Sequence, residues 1–320
     1  MIGPRVVAGL ISAGFRVRVL TATKRERYPF APDVDVRIGN VANPADARLS
    51  AEGVDVIVHM AALLHHISGA APDLEAYRLA NVQGTREMIN AALAQNVRRF
   101  VFFSTIAVYG PGRGQVWDEA SPLSPHTPYA ITKAEAERVV LNARRRDGSP
   151  LGVVLRLAAV FGPNLKGNYL RLVQAIAAGR FTPVGVGDNR RALIYDRDVA
   201  QAVVLASTRP AAAGQVYNLS DGMEHSLADV IGAICDALGR PRPRMHLPLA
   251  PVRGTVAVVE TLARLVRARP PVSRATLDKY TEDTRVDSRR IREDLGFVPR
   301  FDLAAGWTDA IAGMRASGQV

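Results

Sequence analysis

A doubly wound α/β architecture, a parallel sheet with helices on both faces, follows from two features of this 320-residue chain. Short β-rich runs alternate with amphipathic helical stretches through the first half, which is the pattern of βαβ units. The runs at 54–60 and 151–157 are largely apolar, as expected of strands covered on both faces. The pattern changes near residue 158, where helices joined by Pro/Gly-rich loops take over, so a second, smaller domain is expected.

Taken in order, a helix is expected at 4–13, then strands at 16–20 and 34–38, with Val, Leu and Ile at alternating or consecutive positions. Helix 45–51 leads to strand 54–60, helix 74–95 to strand 99–104, and helix 129–146 to strand 151–157. In the second half, helices are expected at 169–178, 199–207 and 227–238. Four prolines mark 241–251 as a loop, and 252–267 follows as a basic amphipathic segment. That segment reads as an ordinary surface helix, with peripheral contact with a membrane as the rival. The expected division is a larger domain from 1–157 and about 190–219, and a smaller one from about 158–189 and 220–320.

The opening is unusual. A nucleotide-binding βαβ unit begins with a strand and a glycine-rich turn, yet here a helix starts at once after Met1-Ile2-Gly3-Pro4. Gly3 alone stands where the third glycine of such a turn would allow close helix–strand packing. The first strand is central in this fold, and its lack would leave two neighbouring strands unpaired. The expectation is that Met1 is an internal methionine and that the protein starts roughly 10–15 residues earlier, the length of a strand plus a turn.

Composition narrows the function classes. The net charge is +11, from 41 Lys+Arg against 30 Asp+Glu, and only four of the basic residues are lysines. The arginines are dispersed rather than gathered beside aromatics, so a solvated surface is expected and no nucleic-acid partner. Cys235 is the single cysteine, which excludes an intrachain disulfide and a four-thiolate metal site; no metal is expected. With no run of 18 apolar residues and no signal segment, a cytoplasmic protein without a transmembrane span is expected.

The chemistry concentrates in Tyr129-Ala130-Ile131-Thr132-Lys133. Four-residue spacing sets Tyr129 and Lys133 on one helix face. A phenol is a poor base at neutral pH, but a neighbouring ammonium favours the phenolate. The pair can exchange a proton with a carbinol or carbonyl oxygen. Thr105 ends the strand at 99–104, at the carboxyl end where open α/β sheets bind ligands, and can hydrogen-bond the same oxygen.

These residues carry a family resemblance. Ser104-Thr105 before Val108-Tyr109-Gly110, followed by Tyr129-x-x-x-Lys133, resembles the extended short-chain dehydrogenase/reductases, the NAD-dependent epimerase/dehydratase group. His59-Met60-Ala61-Ala62, Asn81-Val82-Gln83-Gly84-Thr85, Arg156 to Pro163 and Leu295-Gly296-Phe297-x-Pro299 are similar to further motifs of that family. The resemblance implies a Rossmann-like sheet and catalytic roles for Thr105, Tyr129 and Lys133. It implies cofactor contacts from Ile2, Gly3, Asn40, Val41, Met60, Ala61, Ala62 and Lys133. Gly39-Asn40 replaces the family's usual Gly-Asp, and Leu157 stands where proline is common. No acidic residue follows Leu20-Thr21, while Lys24 and Arg25 come next, which tilts the expected cofactor to NADP over NAD.

Val160 to Tyr169 and Asn189 to Ile194 resemble the nucleotide-sugar 4-epimerase and 4-keto-reductase branch, including enzymes of polysaccharide biosynthesis. On that resemblance Lys166 and Arg191 clamp a diphosphate, Asn168 bonds sugar or phosphate oxygens, and His65 faces the substrate. Asp198 reads as a helix cap. The expected function is hydride transfer at C4 of a nucleotide-linked sugar, by a homodimer. A 3β-hydroxysteroid-dehydrogenase-like alcohol oxidoreductase and a non-catalytic binding protein that kept the fold are the alternatives.

Overall fold

The computed structural model describes residues 2–26, 28–64, 73–112, 114–265 and 274–320. The expected α/β architecture is present. Helix α1 (Gly3–Ser12), with Pro4 in its first turn, leads to β1 (Arg18–Thr21) and β2 (Asp35–Ile38). Helix α2 (Pro44–Ala51) starts at Asn43, whose side chain accepts from Ala45 and Asp46 N–H groups. Strand β3 (Val56–His59) follows, then α3 (Leu74–Arg78), a π-helical turn at Leu79–Gln83, and α4 (Gly84–Ala94). Next come β4 (Arg99–Thr105), a 3-10 turn at Ile106–Tyr109, β5 (Val116–Trp117), α5 (Pro128–Asn142) and β6 (Gly152–Leu157).

The rest of the chain runs β7 (Ala159–Phe161), α6 (Asn168–Ala177), β8 (Arg190–Arg191), β9 (Leu193–Tyr195) and α7 (Asp196–Thr208). It continues through β10 (Val216–Leu219), β11 (His225–Ser226), α8 (Leu227–Leu238), α9 (Leu249–Leu265) and α10 (Arg274–Thr281). It closes with β12 (Arg285–Val286), α11 (Arg289–Leu295) and α12 (Leu303–Ala316). The helix expected at 129–146 stops at Asn142. Residues 145–149 turn back instead, with Asp147 accepting from Ser149, and Gly148 in the left-handed region.

Four strands form a parallel sheet in the order β10-β6-β4-β3, while β1 and β2 pair in parallel as a separate two-stranded sheet. Among the described residues, β1 and β3 each have one edge with no strand on it. The other strand pairs are β7 with β9, β5 with β12 and β8 with β11.

Apolar side chains gather into three cores. One lies between β4, β6 and β10 and helices α1, α7 and α11. A second covers the opposite sheet face with α2, α4 and α5. The third joins β7 and β9 to α6, α8 and α12, with Phe161, Tyr195 and Trp307 packed ring against ring. Helices α1 and α7 touch closely because Gly9 has no Cβ; one placed there would lie 2.9 Å from the Ala200 Cβ. Gly3 does not make the expected close packing: a Cβ at that position meets nothing within 4 Å, because no strand lies beside it among the described residues.

Candidate active site

Thr127 caps α5, its side chain accepting from Ala130 N–H at 3.2 Å, and Pro128 occupies the first turn. This start places Tyr129 and Lys133 one helical turn apart, on a helix packed against β4 and the 3-10 turn that follows Thr105. Lys133 is buried, with Nζ 4.1 Å from the centre of the Phe102 ring. Burial pulls its amine down to about 7, against the opposing pull of the Glu137 carboxylate. Tyr129 is half-buried, and burial pushes its phenol up to about 12. In the protein alone, burial thus moves the Tyr129 phenol upward, away from the phenolate. Desolvation is the cause of that shift, while the Lys133 ammonium lies against the Phe102 ring and feels the Glu137 carboxylate.

Thr105 is the last residue of β4. Its hydroxyl accepts from Ala107 N–H at 3.2 Å and keeps its own proton to donate. Ser104 instead donates to Glu137. Glu137 also accepts a two-pronged contact from Arg156, with Nη2 at 2.7 Å, and both side chains are at most 5% exposed. The network continues from Arg156 Nη1 to the Tyr109 hydroxyl at 2.9 Å and from there to Asn218 at 2.7 Å.

A second buried group anchors the loop after β3. Asn81, within the π-helical turn, accepts from Leu63 N–H at 2.6 Å and donates to Leu63 O and to Thr132. It thereby ties the Met60–Ala62 loop to the residue beside Lys133. Thr85 donates to Asn81 O at 2.6 Å, so its oxygen accepts from His59 Nε2 at 3.1 Å, which places the ring proton on that nitrogen. Burial and the nearby Lys133 hold His59 down at about 3, so it stays neutral. The sequence reading did not single out Glu137, Arg156, Ser104 or Asn81 as site residues. The available signals were an arginine inside an apolar strand and a glutamate one turn after Lys133.

The remaining expected residues divide into three groups. Ile2 is the residue before α1 and packs against the first core, Met60 is half-buried against it, and Ala61 and Ala62 follow β3. Lys24 and Arg25 are exposed beyond the carboxyl end of β1. Asn40 turns its side-chain oxygen to Ala42 N–H, and Val41 packs where Gly84 leaves room, so both have local structural work. Lys166 and Asn168 are exposed at the entry to α6. Arg191 donates from Nη2 to Lys279 O at 2.9 Å and to Tyr280 O, while its Nε is buried with no hydrogen-bond partner. Its charge also opposes the burial that raises the Tyr169 phenol, which places it near the start of α6. His65 lies outside the described residues. Asp198 does not cap its own helix; it accepts from Arg300 and Phe301 N–H groups and holds the approach to α12.

A family model described as the NAD dependent epimerase/dehydratase family matches residues 1–220. The UDP-glucose 4-epimerase of Vibrio cholerae is 28% identical over 274 residues, covering 84% of this chain and 80% of its own length. The 2-alkyl-3-oxoalkanoate reductase of Stenotrophomonas maltophilia (strain K279a) is 29% identical over 318 residues, covering 95% of this chain and 94% of its own. The crystal structure described as that of gox2253 superposes with a TM-score of 0.81 at 26% identity, covering 100% of this chain and 96% of that one.

Proposed function

The chain belongs to the NAD-dependent epimerase/dehydratase family and is an enzyme of that family; on that premise, we propose that it transfers hydride at C4 of a nucleotide-linked sugar. The observation that supports this reading is that Tyr129 and Lys133 stand one turn apart on α5, the helix packed against β4 and against the turn that follows Thr105. The likeness to a 4-epimerase over most of the chain supports the position of attack.

The residues present fit a dinucleotide in one place and a substrate phosphate in another. The first turn of α1 has no side-chain cap and no acidic residue, which suits a pyrophosphate. The orphaned Arg191 Nε suits an oxygen of a second phosphate group, that of the substrate. A nicotinamide dinucleotide held by these residues would supply the hydride acceptor or donor. Tyr129 then takes the proton from, or returns it to, the sugar hydroxyl oxygen. Thr105 donates a hydrogen bond to that oxygen, and Lys133 holds ribose hydroxyls. Lys166, Asn168 and Arg191 orient the diphosphate, Arg191 by exchanging a carbonyl contact for an anionic one. Ile2, Gly3, Asn40, Val41 and Met60 to Ala62 line the cofactor side. Lys24 and Arg25, exposed beside β1 with no acidic partner at Thr21, favour a 2′-phosphate, hence NADP. We assign the dinucleotide domain to 1–157 and about 190–219 and the substrate domain to the remainder, in a cytoplasmic homodimer.

Tyr129→Phe tests the assignment. Single-turnover hydride transfer with UDP-glucose or its 4-keto form should slow by about 10²–10⁴, the usual contribution of a positioned acid/base, with little change in cofactor affinity. A wild-type rate in that variant would refute the catalytic role. Calorimetry with NADPH and NADH decides the cofactor, equal affinities removing Lys24 and Arg25 from it. A second reading, reduction of a ketone on an apolar substrate, is favoured by the reductase relative that covers 95% of the chain. Turnover of a 3-oxoalkanoate without any turnover of nucleotide sugars would put that reading first.

A further inference from the structure

We propose that the outer face of α9, with the segment leading into it, docks on an anionic lipid bilayer. Among the described residues twelve large apolar side chains are exposed, and four of them fall within residues 245–262: Met245 at 80%, Leu247 at 47%, Val258 at 60% and Leu262 at 56%. On α9 the inner side is fixed by Val256 and Ala263, seven residues apart and buried. Arg253 reaches Asp278 of α10 at 2.7 Å. Val258 and Leu262 are four residues apart, on the side of the helix turned away from Val256 and Ala263. They are apolar groups that the body of the protein does not cover.

Charge identifies the occupant. Residues 240–274 contain eight arginines, one glutamate and no aspartate or lysine, a sequence charge of +7 that falls to +5 once Asp236 and Asp278, which pair with Arg242 and Arg253, are counted. Some of these arginines, such as Arg267 and Arg269, lie outside the described residues and enter by their charge alone. Guanidinium groups pair with phosphate oxygens, and an amphipathic helix with cations beside an apolar face lies in the headgroup plane of an anionic leaflet. A nucleic acid would satisfy the charge but not the apolar groups, and 240–274 holds no Phe, Trp or Tyr on which a base could stack. A second copy of this chain would bring the same excess of positive charge to the interface and repel it.

Flotation of the 320-residue protein with vesicles tests this. It should rise with phosphatidylcholine vesicles containing phosphatidylglycerol, and not with phosphatidylcholine alone, and salt should weaken the association. Val258→Glu/Leu262→Glu should abolish flotation with an unchanged melting temperature. Arg244→Gln/Arg267→Gln/Arg269→Gln should weaken it by about a hundredfold, each cation contributing a factor of about five. The proposal is overturned by absence of flotation, by equal flotation with both vesicle types, or by wild-type flotation of the double glutamate variant. It is equally overturned if the double glutamate variant converts a dimer to a monomer while the wild type ignores vesicles, or if the protein prefers single-stranded RNA to the anionic vesicles.

Discussion

Lys133 is almost entirely removed from water, with its ammonium against the Phe102 ring and Glu137 one helical turn away. Its amine titrates near the ordinary 10.5 when the chain is unfolded and near 7 when it is folded. Between those values the unfolded chain binds more protons, so stability rises with pH across that window, and the cost of burial is felt in full below about 7. Lys133→Met removes that cost. The variant should have the higher urea midpoint at pH 6, and its advantage should shrink as pH approaches 10, while turnover is lost. Parallel midpoint curves for the two proteins would show that Lys133 is solvated.

At the scale of elements, α5 is joined to β4 and β6 by a buried ion pair as well as by apolar contacts. Glu137 and Arg156 satisfy each other, and Ser104 and Tyr109 fill the remaining positions. Glu137→Gln leaves a buried guanidinium without a counter-charge and should cost about 3–5 kcal/mol by denaturant titration. Glu137→Gln/Arg156→Met removes both charges and should recover much of that loss; no recovery would mean that the pair is not what joins the elements. The contact of α1 with α7 depends on Gly9. Gly9→Val forces the helices apart and should destabilise by about 1–3 kcal/mol, with partial rescue by Ala200→Gly.

Across the whole molecule, stability is unevenly distributed over the sheet. Strands β4 and β6 are paired on both sides and buried nearly throughout. Strand β1 is half-buried along its length and paired only with β2. Local opening is cheapest where buried apolar contacts are few. Amide exchange should therefore be fastest in β1 and β2 and slowest in β4 and β6, and uniform protection would show that the two sheets open as one unit. Saturating dinucleotide should protect β1 more than β6, because the proposed cofactor residues Lys24, Arg25 and Met60 to Ala62 lie beyond the carboxyl ends of β1 and β3.

The sequence by itself determined the order of helices and strands in the first half, the family, and the helix that carries Tyr129 and Lys133. Each of these is written in local periodicity or in a short motif, and α8 was placed to the residue. It did not disclose α10 or α11, whose apolar positions are few, nor α12, although Trp307, Ala310, Ile311 and Met314 recur there at helical spacing; the places of these helices are fixed by distant partners. One such partner is Asp198, which holds the approach to α12 from 102 residues away. Nor did it reveal that Arg191 closes the end of α10, or that Glu137 and Arg156 meet. These pairings join residues far apart in the chain, and periodicity carries no information about them. Only the tertiary structure decided the protonation balance of the site. Tyr129 and Lys133 are adjacent in any helix, but the direction of their pKa shifts comes from desolvation, and desolvation is a property of the packed core rather than of spacing.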